Sequence, residues 1–150
     1  MAALPYRDAM PTFERHDPGV ESFLNAEPRG LPAYLDLTVH DLGPGRMRCD
    51  MDVRDELLNP FGSLHGGVIS SIVDHVLGSV CYPVIERGAW AATTEFKLNL
   101  LAPVRGGTLT ATAEIVSMSK RVAVVRIDVD NDGTLVAAAQ GTVTIMPPRS

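Results

Sequence analysis

Hydrophobic and polar residues alternate along two neighbouring stretches near the start of the chain. Residues 34–40 carry an apolar residue at every second position, and so do residues 46–53. A period of two is typical of strands that bury one face. Gly43-Pro44-Gly45 lies between the two stretches and is typical of a turn. This region is therefore predicted to form an antiparallel hairpin.

The period of the apolar residues changes to 3.6 after Gly66. Seven aliphatic residues recur at helical spacing: Val68, Ile69, Ile72, Val73, Val76, Leu77 and Val80. Pro83 follows, and the residue before a proline avoids the helical conformation. We predict one long helix from about Gly66 to Tyr82. Because this helix carries almost no charge, we expect a sheet to wrap around it.

Strand periodicity returns after the helix. Alternation predicts strands at residues 92–101, 108–118, 122–130 and 134–145. The sequence Asn-Asp-Gly at 131–133 is typical of a tight hairpin turn. A hairpin, one central helix and a closing meander together predict an α+β fold, with antiparallel strands and the helix on one face of the sheet.

Residues 1–32 differ from the rest because they hold five of the eleven prolines. Proline interrupts both helices and sheet ladders. One short helix fits around Gly19–Asn25, where apolar residues recur at helical spacing. We predict a proline-rich lead-in that packs onto a main domain of residues 33–150. A disordered tail is the alternative.

Composition and charge narrow the class of protein. The chain has 150 residues, the size of one domain, and a net charge of −5, which is unfavourable for binding nucleic acid. No apolar run looks long enough to cross a membrane. Cys49 and Cys81 lie among apolar residues and are predicted to be buried thiols, and the histidines lack zinc-site spacing. We expect no metal, no signal peptide and a cytoplasmic location.

Asp74 interrupts the apolar pattern of the long helix. On a wheel of roughly 100° per residue it lies at the centre of a stripe of small residues, formed by Gly67, Ser70, Ser71, Gly78 and Cys81. This arrangement is typical of an acid that lines a slot, although a carboxylate satisfied by a buried donor is the alternative. Free N–H groups at the start of the helix could face a developing oxyanion. A tight turn into the helix would explain Gly66-Gly67 equally well.

These residues resemble the motif of the PaaI-like (phenylacetate-degradation type) acyl-CoA thioesterases, which have the hotdog fold. The matching positions are Asn59, Gly62, His65, Gly66, Gly67, Asp74, Thr93-Thr94-Glu95-Phe96, Pro103, residues 133–137 and Gly141-Thr142. The resemblance spans about residues 35–146. It implies a curved antiparallel sheet around one long helix and hydrolysis of an acyl-CoA to a free acid and coenzyme A, without a cofactor. It also implies a homodimer or a dimer of dimers (homotetramer), with each site between two protomers.

The resemblance assigns catalytic roles to individual residues. Asp74 matches the family's acid, which is a general base or a nucleophile, and the backbone N–H of Gly66 matches its oxyanion donor. Asn59 matches the amide that orients the thioester or the attacking water. Thr93 matches a hydroxyl on the strand after the helix, and Thr94 takes its place if the register differs by one.

His65 could be a catalytic partner, or its ring could fix the following glycines by bonding to the backbone. Further residues are predicted to bind substrate: Gly67, Phe61, Leu64, Val68, Thr94, Arg105, Ser119, Lys120 and Arg121. The apolar members would line the acyl pocket and the basic members would hold the phosphates of coenzyme A. An ordinary solvated turn is the alternative for residues 119–121.

The resemblance leaves two alternatives to hydrolysis. Hotdog hydratases carry a different histidine motif, which this sequence lacks. A non-catalytic domain that binds or senses acyl-CoA would not need the helix carboxylate, and Asp74 is present. The sequence therefore favours an enzyme.

Overall fold

The computed structural model describes Phe13, Gly19, Val20 and residues 25–149. Its regular elements are α1 (Gly30–Tyr34), β1 (Thr38–Gly43), β2 (Arg46–Asp52), α2 (Gly66–Ser79), β3 (Trp90–Leu100), β4 (Thr108–Met118), β5 (Val122–Asn131) and β6 (Thr134–Met146). Short 3-10 turns at Asp55–Leu57 and Tyr82–Val84 flank α2. The predicted order of hairpin, long helix and closing strands is confirmed.

The six strands form one antiparallel sheet in the order β1-β2-β4-β5-β6-β3. Short hairpin connections place β4, β5 and β6 side by side. Strand β3 follows the helix in sequence but pairs only with β6, at the far edge of the sheet. An edge of eleven residues is thus left without a partner strand in the part of the chain that the structure describes.

Helix α2 packs across one face of the sheet, against every strand from β2 to β6. Its aliphatic side is buried, through Ile69, Ile72, Val73, Val76 and Leu77. The sheet meets it with side chains that are at most 1% exposed, among them Met47, Met51, Leu109, Ile115 and Ile127. Burial of each such side chain stabilises the fold by about 1.5–3 kcal/mol. The predicted wrapping of the sheet around the helix is confirmed.

The two elements whose boundaries differ from the prediction by three residues or more are β1 and α2. Strand β1 begins at Thr38 rather than near residue 34, because Asp36 has a φ of 52° and turns the chain. The Arg54 guanidinium donates to the Asp36 carboxylate at 2.6 Å and holds that turn. Helix α2 ends at Ser79 rather than residue 82, since the chain tightens into a 3-10 turn that contains Pro83.

Most of the lead-in, including most of the helix predicted at Gly19–Asn25, lies outside the described residues. Val20 is described, is 3% exposed and belongs to the core. The ring of Phe13 packs on Gly45 in the first hairpin, where an added Cβ would lie 2.5 Å from the ring.

Both cysteines are buried, as predicted, and burial raises the pKa of each thiol to about 12. No three His, Cys, Asp or Glu residues of the described ranges cluster closely enough to hold a metal ion.

The segment Gly66–Val84 has a mean hydropathy of 1.3 and, judged by length and composition alone, could span a membrane. The prediction that no run reaches such a length was therefore wrong by this measure. In the structure, more than half of the segment is buried inside the fold, as in the core helix of a soluble protein.

Gly141 in β6 is in close contact with both the paired edge strand β3 and helix α2. A Cβ at this position would lie 2.7 Å from the Glu95 carbonyl oxygen, 2.7 Å from the Phe96 Cβ and 2.8 Å from a Leu77 methyl. We expect Gly141→Ala to lower the free energy of unfolding by about 1–3 kcal/mol through overpacking, measured by thermal denaturation. Gly43→Ala is the matched control, because a Cβ on that strand glycine would meet nothing within 4 Å. Equal melting temperatures for the two variants would contradict the prediction.

Candidate active site

His65 caps the start of α2. Its Nδ1 accepts a hydrogen bond from the Gly67 N–H at 2.9 Å, which places the ring proton on Nε2. The His65 carbonyl accepts from the N–H groups of Val68 and Ile69 at 2.9 and 3.4 Å. Of the first four helical N–H groups, only that of Gly66 has no partner among the described residues. The ring of His65 therefore bonds to the backbone of the following glycines, which is one of the two roles predicted for it.

The backbone before the helix is held from both sides. The His65 N–H donates to the Leu57 carbonyl at 3.0 Å, and the Leu64 N–H donates to the Val104 carbonyl at 2.7 Å. Leu64 is 5% exposed and belongs to the core. Leu64 was predicted to line an acyl pocket, but its side chain packs in the core of its own chain. Val68, predicted for the same pocket, is only partly buried against that core.

Asn59 organises the loop that leads to the helix. Its Oδ1 accepts from the N–H groups of Phe61 and Ser63 at 2.9 and 3.2 Å, and its carbonyl accepts from the Gly62 N–H at 3.0 Å. Only the Asn59 Nδ2 is left without a partner among the described residues. A substrate or water could therefore be oriented only through this NH₂ group. Phe61 lies in the same loop and is 86% exposed.

Asp74 lies on the exposed side of α2, together with the exposed Gly67 and the partly exposed Ser70, Ser71 and Gly78. Cys81, which the wheel had placed in the same stripe, is instead fully buried, because the helix ends at Ser79. The carboxylate accepts no hydrogen bond from any residue that the structure describes, so this part of the chain offers no buried donor for it. Its neighbour His75 is half-buried, and burial lowers the pKa of that imidazole while the charge of Asp74 opposes the change. The Ser71 hydroxyl donates to the Gly67 carbonyl at 2.8 Å and stays within the stripe.

The stripe borders the edge strand. A Cβ on Gly66 would lie 2.9 Å from the Leu100 Cδ1, and one on Gly78 would lie 4.0 Å from the Ala91 carbonyl oxygen. Helix α2 and strand β3 therefore run in opposite directions. The first residues of α2 lie beside the last residues of β3, and the last residues of α2 lie beside the first residues of β3. Asp74 lies between these two contacts, and the exposed side of the helix continues into the unpaired edge of β3.

A β-bulge directs Thr93 and Thr94, the two candidates for the hydroxyl of the site, to opposite faces of the sheet. Thr93 pairs with Val143, which is buried beneath the helix, and the register shifts directly after it. The Thr94 and Thr144 hydroxyls share a hydrogen bond of 2.6 Å on the outer face of the sheet. Thr93 thus shares the helix-facing side with Phe96, whereas a strict period of two would place Thr94 on that side. The geometry favours Thr93 for the site.

The basic residues predicted to bind phosphate lie in two separate places. The Arg105 guanidinium donates to the Gly62 carbonyl at 3.4 Å, next to the loop that leads to α2. Lys120 and Arg121 lie beyond the opposite end of the eleven-residue strand β4, about 35 Å away at 3.3 Å per residue. One chain cannot bring both groups to a single nucleotide.

Residues 119–121 form a tight turn that Ser119 stabilises. Its hydroxyl oxygen accepts from the backbone N–H groups of Arg121 and Val122 at 3.4 and 3.2 Å. Lys120 and Arg121 are exposed, and neither cation has an acidic partner among the described residues. Ser119 therefore holds the turn, and the two cations remain open to a ligand.

Leu100 is a residue of this region that sequence reasoning did not select. It falls within the strand predicted at residues 92–101, and no local pattern shows that β3 is an edge strand. In the structure it is 55% exposed and touches Gly66.

Comparison with known proteins identifies the family and the fold. Residues 61–138 match the family model described as the thioesterase superfamily. Human acyl-coenzyme A thioesterase 13 is 29% identical over 109 residues, which cover 72% of this chain and 77% of that protein.

Two solved structures show the same fold. Thioesterase HI1161 from Haemophilus influenzae superposes with a TM-score of 0.80 at 22% identity, covering 87% of this chain and 92% of that one. A phenylacetic acid degradation-related protein from Ralstonia eutropha superposes with a TM-score of 0.76 at 26% identity, covering 83% and 97%. The predicted hotdog fold is confirmed. With the family match over more than half its length and the shared architecture, this chain belongs to the thioesterase superfamily.

Proposed function

We propose that this protein hydrolyses acyl-CoA thioesters to a free acid and coenzyme A. The observation that carries the proposal is the Gly66 N–H at the start of a helix whose exposed side presents the Asp74 carboxylate, since neither group has a hydrogen-bond partner among the described residues. A helix N-terminus stabilises negative charge, so this N–H is suited to the oxyanion that forms when the thioester carbonyl is attacked. Asp74 either takes the proton of the attacking water or attacks directly, and the thiolate leaves.

The substrate class is supported by the relatives and by local charge. The human relative is named as an acyl-coenzyme A thioesterase. Coenzyme A carries phosphates, and this acidic chain nevertheless exposes Arg105, Lys120 and Arg121, none of which has an acidic partner in the described ranges. The exposed ring of Phe61 and the partly buried Val68 provide apolar surface beside the start of α2 for an acyl group.

A complete site requires a second copy of the chain. Gly66 and Asp74 are eight residues apart, which is about 12 Å along a helix. A donor and a base acting on one carbonyl must both lie within about 3 Å of the reacting atoms. Within one chain, Gly66 and Asp74 therefore belong to two different active sites, and each site takes its other half from the second copy.

The unpaired edge of β3 is the surface on which a second copy fits. A two-fold axis through this edge would continue the sheet and place two α2 helices side by side in opposite directions. Asp74 of the partner subunit would then approach Gly66, and Lys120 and Arg121 of the partner subunit would approach the Arg105 end. We therefore propose a homodimer, alone or within a dimer of dimers.

The proposed function is tested with a panel of acyl-CoA thioesters, from acetyl to palmitoyl and including phenylacetyl, with detection of the released thiol. Turnover of at least one thioester that depends on Asp74 supports hydrolysis. Tight binding of acyl-CoA without any release of thiol would instead support the non-catalytic binding domain.

Replacing Lys120 and Arg121 together by Ala should raise KM for acyl-CoA and leave kcat nearly unchanged. Contacts at exposed cations contribute about 0.2–1 kcal/mol each, so KM should rise by about two- to thirty-fold. Because the contacts act equally in ground and transition states, kcat is spared. The increase should shrink at high salt and vanish for an acyl-N-acetylcysteamine, which has no phosphates. An equal rise in KM for that truncated thioester would contradict phosphate binding.

A further inference from the structure

We propose that Leu100 determines acyl specificity by limiting the bulk allowed on the carbon next to the thioester carbonyl. The inference rests on the proposed function, since it concerns the same site. It assigns to this chain a preference for acyl groups that are unbranched at that carbon.

Leu100 packs against the residue that carries the proposed oxyanion donor, Gly66. Leu100 pairs with the fully buried Ala137, so its side chain projects to the helix-facing side of the sheet. A Cβ added to Gly66 would lie 2.9 Å from the Leu100 Cδ1, closer than side-chain atoms normally approach. The leucine therefore packs directly on Gly66. Because β3 is an edge strand, the leucine is nevertheless 55% exposed.

The direction of this contact places Leu100 beside the path to the free N–H. Every Cα–Cβ bond of a helix tilts toward its N-terminus. The N–H groups of the first turn point the same way, out of the helix end. A methyl group that meets a Cβ at Gly66 thus borders the space in front of the Gly66 N–H, where the carbonyl oxygen must come within about 3 Å.

The chemistry of thioesters decides which part of the substrate Leu100 selects. The carbonyl carbon carries two substituents, the sulfur and the acyl chain. The thiol side begins with the same unbranched CH₂ in every acyl-CoA, whereas the first acyl carbon can be unbranched, branched or aromatic. A fixed side chain at this place can therefore discriminate only on the acyl side.

The test compares butyryl-CoA with isobutyryl-CoA, two isomers that differ only in branching next to the carbonyl. Leu100→Ala should raise the ratio of kcat/KM for isobutyryl-CoA over butyryl-CoA by about ten-fold, the effect typical of a methyl-sized change in an apolar pocket. Leu100→Phe should lower the same ratio. Leu101→Ala is the matched control, because Leu101 is 53% exposed and adjacent but is not in contact with a Cβ at Gly66. Its ratio should equal that of the wild type.

A second measurement tests the contact without depending on the choice of substrate. Gly66→Ala keeps the backbone N–H but adds the methyl group that collides with Leu100, so turnover should fall. Combining it with Leu100→Ala should restore turnover to that of Leu100→Ala alone, which is the non-additivity expected of residues in contact. Additive losses would overturn the proposed contact.

The outcomes separate this inference from the proposed function. A wild-type ratio that is unchanged in both Leu100→Ala and Leu100→Phe, with Asp74-dependent turnover intact, overturns the inference alone. Failure of the wild type to release thiol from any acyl-CoA overturns the proposed function and the inference with it. Thermal denaturation of each variant confirms that the fold persists, which the 55% exposure of Leu100 in the single chain leads us to expect. The oligomeric state is recorded in parallel, because Leu100 lies on the β3 edge where the second copy is proposed to pair.

Discussion

Replacement of Asp74 by Asn should reduce kcat for acyl-CoA hydrolysis by about 10²–10⁴-fold, the contribution typical of a positioned general base. The amide has nearly the same size as the carboxylate but can neither accept the proton of water nor attack a carbonyl. The side chain is exposed and accepts no hydrogen bond from the described residues, so no contact of the fold is lost. Asp74→Ala should behave alike.

The measurement is initial-rate release of free thiol, with the melting temperature and the oligomeric state recorded in parallel. Asp128→Asn is the matched control, because Asp128 is an exposed aspartate on the outer face of β5, away from α2. That variant should keep wild-type kcat. A kcat for Asp74→Asn within a few-fold of wild type, in a folded protein, would rule out the catalytic role of the carboxylate.

Periodicity predicted the long helix and its two faces because it reports burial directly. The aliphatic positions of α2 are in the core, and Asp74 lies with Gly67, Ser70, Ser71 and Gly78 on the more exposed side, as the wheel indicated. The wheel was wrong for Cys81, which follows the end of the helix and is buried. The same reasoning placed β4 at its observed limits. Within these elements each side chain points where a regular backbone sends it, so the pattern of residue types suffices.

Features that depend on irregular backbone or on distant pairing were not predictable. The bulge after Thr93 inserts one residue and thereby moves Thr94 to the outer face, where a strict period of two had placed Thr93. The position of β3 at the sheet edge follows from pairing with β6, about forty residues later. The exposure of Leu100, and with it the proposed specificity, depends on that pairing.

Polar side chains in loops were the least certain part of the site. Asn59 was predicted to orient the thioester or the attacking water, and Ser119 was predicted to bind substrate. In the structure the oxygen of each side chain accepts hydrogen bonds from nearby backbone N–H groups. Asn and Ser favour turns for this very reason, so their presence beside a motif does not distinguish turn-forming from substrate-binding roles. For Asn59 the structure leaves the Nδ2 group free, which suggests a substitution that removes only that group.

Two inactive variants should regain activity when their chains are mixed, if the site is shared between protomers. The pair is Asp74→Asn and Asn59→Asp. The second change keeps an oxygen for the N–H groups of Phe61 and Ser63, so the loop should persist, but it removes the free NH₂ donor. Each variant alone should lose most of its turnover, because every site in it lacks the same residue.

Coexpression in equal amounts, with a different affinity tag on each chain, should yield about a quarter of wild-type activity in a symmetric two-chain site. A site is intact only when Asn59 comes from an Asp74→Asn chain and Asp74 comes from an Asn59→Asp chain, and each event has a chance of about one half. This fraction is the same for a dimer and for a dimer of dimers. As a control, Asp74→Asn is coexpressed with the double variant, where no chain offers Asp74 and no activity should return. If the first mixture also stays inactive although mixed oligomers are isolated through both tags, Asn59 and Asp74 act from the same chain.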